Sequence, residues 1–178
     1  KDISFEQFCE YILPYRVGDE RPGYDRREIY NNYNSLLDSV RICEGTAIDA
    51  CSAINNELIK EGWEFTHDFS FLPGFPACTL LKYRKGNCRE MTATAIFIMR
   101  ALGIPVTSDF TPQWANRSLG HEWNVVLDRE GKNNVFMGSS SNPGSEGQNN
   151  VFNAMRAVVY RKLFAVQPQS LAMLKKSN

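Results

Sequence analysis

The sequence lacks an excess of charge of either sign: 20 Lys+Arg stand against 20 Asp+Glu in 178 residues. Attraction to a phosphate backbone leaves a basic footprint, so a nucleic-acid partner is excluded. No apolar run approaches the roughly 20 residues that a membrane-spanning helix needs. No CxxC pair, no His/Cys cluster with zinc-ligand spacing and no DxDxDG loop occurs, so neither a structural metal, a calcium trigger nor a cofactor is expected. Internal repeats are absent. Histidine is scarce, with only His67 and His121, so any catalytic imidazole is one of two. The five cysteines, at 9, 43, 51, 78 and 88, are odd in number and leave at least one thiol free in a monomer. The other four allow two disulfides or four buried thiols.

A chain of this length suits a single domain over 1–178 and buries about 70% of its unfolded surface, enough for a core without staples. With 43% hydrophobic and 22% charged residues it reads as an ordinary soluble globular protein. Residues 1–62 form a helical N-terminal portion. Ser4 caps a short turn carrying Phe5, Phe8 and Ile12, which Pro14 ends. Asp25 caps a helix over 25–40. Thr46 opens a stronger one, with Ile48, Cys51, Ile54 and Leu58 at helical spacing and Gly62 as its stop. Residues 63–86 read as an aromatic-rich connection without a regular element. Residues 88–102 are apolar around most of the circumference, which predicts a centrally buried helix. Strands are expected over 105–110, 122–128, 133–137 and 157–162, with a polar loop over 138–150. Helices first, one buried helix, then an antiparallel sheet give an α+β fold whose core spans 80–140.

Cys88 is the most informative residue. It follows Gly86-Asn87 and opens the buried helix, where free backbone N–H groups and the helix dipole favour an anion. Such a thiolate has a lowered pKa, with Arg84, Lys85 and Arg89 adding positive potential. The same N–H groups can hold an oxyanion. His121 opens a strand on which it shares a face with Trp123, Val125 and Leu127. If that face covers the helix, His121 lies near the Cys88 sulfur, the pairing an activated thiol requires. Gln113 and Trp114, in the loop before His121, are candidate substrate-binding donors, and Trp63 a weaker one. His67, beside Asp68, and the Phe69/Phe71/Phe75 group read as structural. Gly18-Asp19-Glu20-Arg21 reads as a solvated loop.

The stretch YRKGNCREMTATAIFIMRALGIPVT followed by LGHEWNVVLD resembles the transglutaminase-like superfamily. Three elements carry the resemblance in order: a G-x-C opening a helix, RALGIP, and an H-x-W strand. The resemblance implies a papain-like fold, Cys88 as nucleophile, His121 as base and an acid on the next strand. The sequence departs from the family at that acid. A hairpin about 130–131 places residues 139–141 opposite His121, where Ser139-Ser140-Ser141 stand. Asn142 is the nearest substitute if a bulge brings it into register. Glu146, a serine hydroxyl or a backbone carbonyl are the alternatives.

The expected activity is thiol-dependent hydrolysis or acyl transfer at an amide of a peptide or protein, with cross-linking the lesser expectation. The missing acid supports the other reading, a catalytically weak or inactive module that keeps the cleft and binds a peptide or glycan. TPQWANRSLGHEWN and FEQFCEYILPYR are similar to a bacterial branch of exported multidomain proteins, which implies a periplasmic or cell-surface setting. The chain begins at Lys1 instead of Met, so a processed product or an excised piece of a larger protein is expected.

Overall fold

The computed structural model describes residues 3–23, 26–70, 72–145, 158–170 and 173. Ser4 and Gln7 form a capping box on α1 (Phe5–Tyr11). The helix expected over 25–40 is broken into α2 (Arg26–Tyr33), a 3₁₀ turn (Asn34–Leu37) and α3 (Asp38–Ile42); its expected cap, Asp25, lies outside the described residues. Thr46 and Asp49 cap α4 (Ala47–Glu61), and Gly62 ends it at a φ of 77°. The supposedly irregular connection holds β1 (Glu64–Phe65), α5 (Ala77–Tyr83) and β2 (Lys85–Gly86), the two short strands pairing in parallel. Then come α6 (Cys88–Ala101), β3 (Val106–Thr111), β4 (His121–Leu127), β5 (Asn133–Phe136) and β6 (Tyr160–Arg161). The last four form one antiparallel sheet in the order β5-β4-β3-β6. The fold is α+β.

Helix α6 is the centre of the molecule. Ten of its fourteen residues are buried, and Ile96, Phe97, Ile98 and Met99 share one core with Ile54 and Leu58 of α4, Ile29 of α2 and Leu80 of α5. Val126 of β4 joins that core, and the buried Asn124 amide donates to Thr92 O at 3.0 Å. The body of α6 therefore meets the Glu122–Asn124–Val126 face of β4. Strand alternation had pointed to the opposite face. The His121–Trp123–Val125 face builds a second cluster: Trp123 and Val125 pack with Trp114, Met137, Met91 and, at the helix start, Cys88. Both faces of β4 are buried, so alternation could not rank them.

Several other expectations change. Glu20 is not solvated: the residue is 4% exposed, and its carboxylate accepts the Val17 and Gly18 N–H groups at 2.7 and 2.8 Å. Asp19 accepts from Gly74 N at 2.9 Å, so this loop is pinned to the connection before α5. All five thiols are free, with Cys43 and Cys78 exposed, Cys51 buried and Cys9 and Cys88 partly so. The four beside Cys88 are thus neither two disulfides nor four buried thiols. Phe69 and Phe75 pack edge to face at 5.3 Å, while Phe71 lies outside the described residues. Among the described residues, no helix is long and apolar enough to cross a membrane, and no group of His, Cys, Asp and Glu could hold a metal ion.

Candidate active site

The start of α6 is locally over-determined. The Asn87 side chain accepts the Arg89 N–H at 2.9 Å, and the Asn87 N–H donates to Glu90 Oε2 at 3.0 Å. That capping box leaves Cys88 as the first helical residue. Glu90 is almost wholly buried and also receives Arg89 Nε at 2.8 Å. Trp63 donates its indole N–H to Gly86 O at 3.1 Å, so this ring fixes the loop before the thiol and is not a free donor to substrate. Gly86 has a φ of 150°, and a Cβ there would meet the Glu90 side chain at 2.5 Å. Gly86→Ala is expected to destabilise the protein by about 2–4 kcal/mol, combining backbone strain with a damaged cap. Urea denaturation checks this, and an unchanged midpoint would show that the cap tolerates a Cβ.

His121 is brought in by a tight approach of its own. A Cβ on Gly120 would stand 2.6 Å from Pro112 O and 2.7 Å from Thr111 O, so only glycine lets the chain turn into β4 here. Thr111 pairs with His121 across the β3–β4 ladder. The His121 ring stacks on Trp114 at 5.9 Å and on Trp123 at 5.8 Å, and the two indoles lie 6.2 Å apart. Its Nε2 is buried without a hydrogen-bond partner, so no hydrogen bond joins it to the Cys88 sulfur. The sulfur is instead approached by the backbone N–H of Glu122, the residue after His121. Cys88 and His121 are thus carried on neighbouring backbone without a hydrogen bond between their side chains.

The electrostatics differ from the sequence expectation. Burial pushes the Cys88 thiol up, with the Glu122 and Glu90 charges adding to it, while the N–H groups of Glu122 and Arg89 oppose it. The three expected cations are each engaged by a carboxylate. Arg84 pairs with Glu61 at 3.0 Å, Lys85 with Glu64 at 2.7 Å and Arg89 with Glu90 at 2.8 Å. Little positive potential is left for a thiolate. Burial likewise pushes His121 down to about 4. At neutral pH the pair is therefore thiol and neutral imidazole, not thiolate and imidazolium.

The β4–β5 pairing follows the hairpin arithmetic but ends before it reaches the position opposite His121. Asn124 pairs with Phe136 and Leu127 with Asn133, a register that extrapolates to residue 139 opposite His121. The strand stops at Phe136, and the chain turns at Ser139, whose φ is 60°. The turn is held by α4: the buried Asn55 amide donates to Ser141 O at 3.0 Å and accepts from Ser139 N at 2.8 Å. Asn142 is drawn into the same contact. Its Oδ1 accepts from Asn55 at 2.9 Å and its Nδ2 donates to Asn56 at 2.7 Å. Both ends of the Asn142 amide are committed to α4, so it does not orient His121. Glu146 lies outside the described residues.

Of the remaining candidates, Gln113 is exposed and its carbonyl accepts from Thr111 Oγ1 at 2.9 Å. Trp114 is 5% exposed, and Arg117 lies over its ring at 6.0 Å. The loop thus offers Gln113 to solvent while Trp114 walls the imidazole. His67 is exposed and packs edge to face on Phe65 at 5.1 Å. Sequence reasoning overlooked Asn55, Asn124 and Glu90. Only Glu90 carried a local signal, the N-x-x-E capping spacing; the two asparagines are recognised by what they reach across the fold.

Helix α6 thus opens on a cysteine and strand β4 on a histidine, within one α+β scaffold. The family model of the transglutaminase-like superfamily matches residues 35–135, more than half of the chain, and the chain belongs to that superfamily. The match includes Cys88 and His121 and ends before the turn at Ser139. Among solved structures, a candidate cysteine protease from Cytophaga hutchinsonii is similar at a TM-score of 0.45 and 15% identity, over 80% of this chain and 51% of that one. This chain spans about half of that protein's length. No curated protein matches it.

Proposed function

We propose that the protein is a thiol-dependent hydrolase or acyltransferase acting on an amide of a peptide or protein. The observation that carries this reading is the placement of Cys88 as first residue of the capped helix α6, its sulfur against the Glu122 N–H and thus beside His121. Cys88 Sγ attacks the amide carbonyl, and the thiol proton passes to the neutral imidazole as the S–C bond forms. The oxyanion is received by backbone N–H groups at the helix start. His121 then gives its proton to the leaving nitrogen as the C–N bond breaks, leaving an acyl-thioester. An exported setting as part of a larger protein is consistent with this activity.

A second reading is favoured by the unpartnered His121 nitrogen and the raised Cys88 thiol: a catalytically weak module that binds a peptide or glycan in the cleft beside Gln113. Release of primary amines from a panel of peptides, including glutamine-containing ones, separates the two. Turnover that stops on stoichiometric alkylation of Cys88 is the expected result. Saturable peptide binding with no amine release would favour the module.

A further inference from the structure

Resting on the proposed role of Cys88 as nucleophile, we infer that Lys162 is a positioning residue for its sulfur. The Lys162 ammonium reaches across β3 to hold the Glu122 carboxylate, and so keeps the Glu122 N–H at the sulfur and the Glu122 charge turned from it.

Lys162 follows β6, and the sheet order puts β3 between it and Glu122 on β4. Its backbone is fixed first: Lys162 N donates to Ser108 O at 3.1 Å, and Lys162 O accepts from Thr107 Oγ1 at 2.9 Å. From there Nζ donates to Glu122 Oε1 at 2.7 Å, with the Glu122 side chain 11% exposed and that of Lys162 30%. Both side chains line a cavity of about 40 Å³ that Asp19, Glu20, Arg89 and Glu90 also border. Four carboxylates thus meet two cations there, and three of the four have other partners. Asp19 accepts from Gly74 N, Glu20 from Val17 N and Gly18 N, and Glu90 from Asn87 N and Arg89 Nε. The partner that Glu122 finds is Lys162.

Glu122 acts on the thiol in two opposed ways: its N–H approaches the sulfur and favours a thiolate, and its charge disfavours one. Holding the carboxylate on Lys162 separates the two effects, because the charge is drawn toward β6 while the backbone stays on Cys88. The other groups around the sulfur do not serve this end. Burial keeps His121 neutral at pH 7, Glu90 adds negative charge and Arg89 is paired with Glu90. Arg84 and Lys85 are engaged by Glu61 and Glu64, and Asp19 and Glu20 by backbone N–H groups. Without Lys162, a carboxylate shielded from solvent over most of its surface loses its counter-charge. Its release loosens the N–H contact and lets its charge oppose a thiolate more strongly. In the proposed reaction that opposition falls on the step in which the thiol proton leaves for His121.

The test is the pH profile of Cys88 alkylation by iodoacetamide, read by peptide mapping, with the exposed Cys43 and Cys78 as internal references. Lys162→Met is expected to move the Cys88 profile up by about one pH unit, slowing its labelling at pH 8 about 5- to 10-fold while both references stay unchanged. Lys162→Arg keeps the charge and should follow wild type; Lys162→Gln gives the readout if the Met variant does not fold. Glu122→Gln should move the profile down, and Lys162→Met added to it should change labelling less than about 2-fold, because no carboxylate remains to be held. A profile in Lys162→Met that matches wild type, or a shift as large in the Glu122→Gln background, would overturn the inference. Faster labelling of Cys88 together with the buried Cys51, the mark of a loosened core, would overturn it as well. Alkylation needs no substrate, so a wild type without amide turnover counts against the proposed function and not against these shifts.

Discussion

Cys88→Ala is expected to lower amide turnover on the order of 10⁴-fold or more while changing unfolding free energy by no more than about 2 kcal/mol. Loss of a covalent nucleophile removes the whole two-step route, and the residual rate is what binding and oxyanion donors supply alone. The stability cost stays small because Cys88 is only partly buried and the helix is capped by Asn87 and Glu90, not by the thiol. A linked expectation concerns reactivity. With burial, Glu122 and Glu90 all holding the thiol up, iodoacetamide at pH 7 should label Cys88 more slowly than the exposed Cys43 and Cys78. Its labelling should climb as pH rises past the ordinary thiol range. Peptide mapping at several pH values gives the order, and rapid labelling of Cys88 at pH 6 would mean that a thiolate already exists there.

The second large effect is an acid destabilisation centred on His121. Its folded pKa is about 4 against an ordinary value of 6.5, because burial penalises the imidazolium. Below pH 6.5 the unfolded chain takes up a proton that the folded chain refuses, so stability falls as pH drops from 6.5 and levels off below about 4. Fully expressed, the shift corresponds to at most about 3 kcal/mol, less where residual solvent screens the ring. Urea unfolding at pH 7 and at pH 4.5 should show this loss in wild type and lack most of it in His121→Gln. Carboxylates held low by backbone donors, such as Asp49 under Thr46, add losses at lower pH that the variant shares. Under the proposed role of neutral His121 as base, catalysis has the same signature: kcat/KM should hold down to about pH 4, where an unshifted imidazole would begin to fail near 6.5.

What was legible in the sequence was what local chemistry determines. Thr46 and Gly62 delimit α4, and Cys88 after Gly86-Asn87 opens α6, because end signals act within one turn. The β4–β5 register followed from the turn before Lys132, and it extrapolates to residue 139 as expected. Helix α5 was missed because Ala77–Tyr83 is two turns long, follows a Pro- and Phe-rich stretch and starts at Pro76 without a side-chain cap. The hairpin beyond Phe136 was misjudged because Asn55, more than 80 residues upstream, pulls the chain toward α4. The thiol's electrostatics were misread for a related reason. Counting Arg84, Lys85 and Arg89 near Cys88 ignores that Glu61, Glu64 and Glu90 arrive to meet them, and that the helix start is buried. That a cysteine opens α6 and a histidine opens β4 was legible, since both are local facts; the protonation of the two side chains was not.

The most direct measurement of the central claim is intact-protein mass spectrometry of wild type after brief exposure to an activated acyl ester and acid quench, with proteolytic mapping of the adduct. The account expects one acyl group, located on Cys88, whose formation is lost in Cys88→Ala and slowed in His121→Gln. An adduct spread over Cys43 and Cys78 with Cys88 unmodified, or one on Cys88 that forms equally fast without His121, would contradict it.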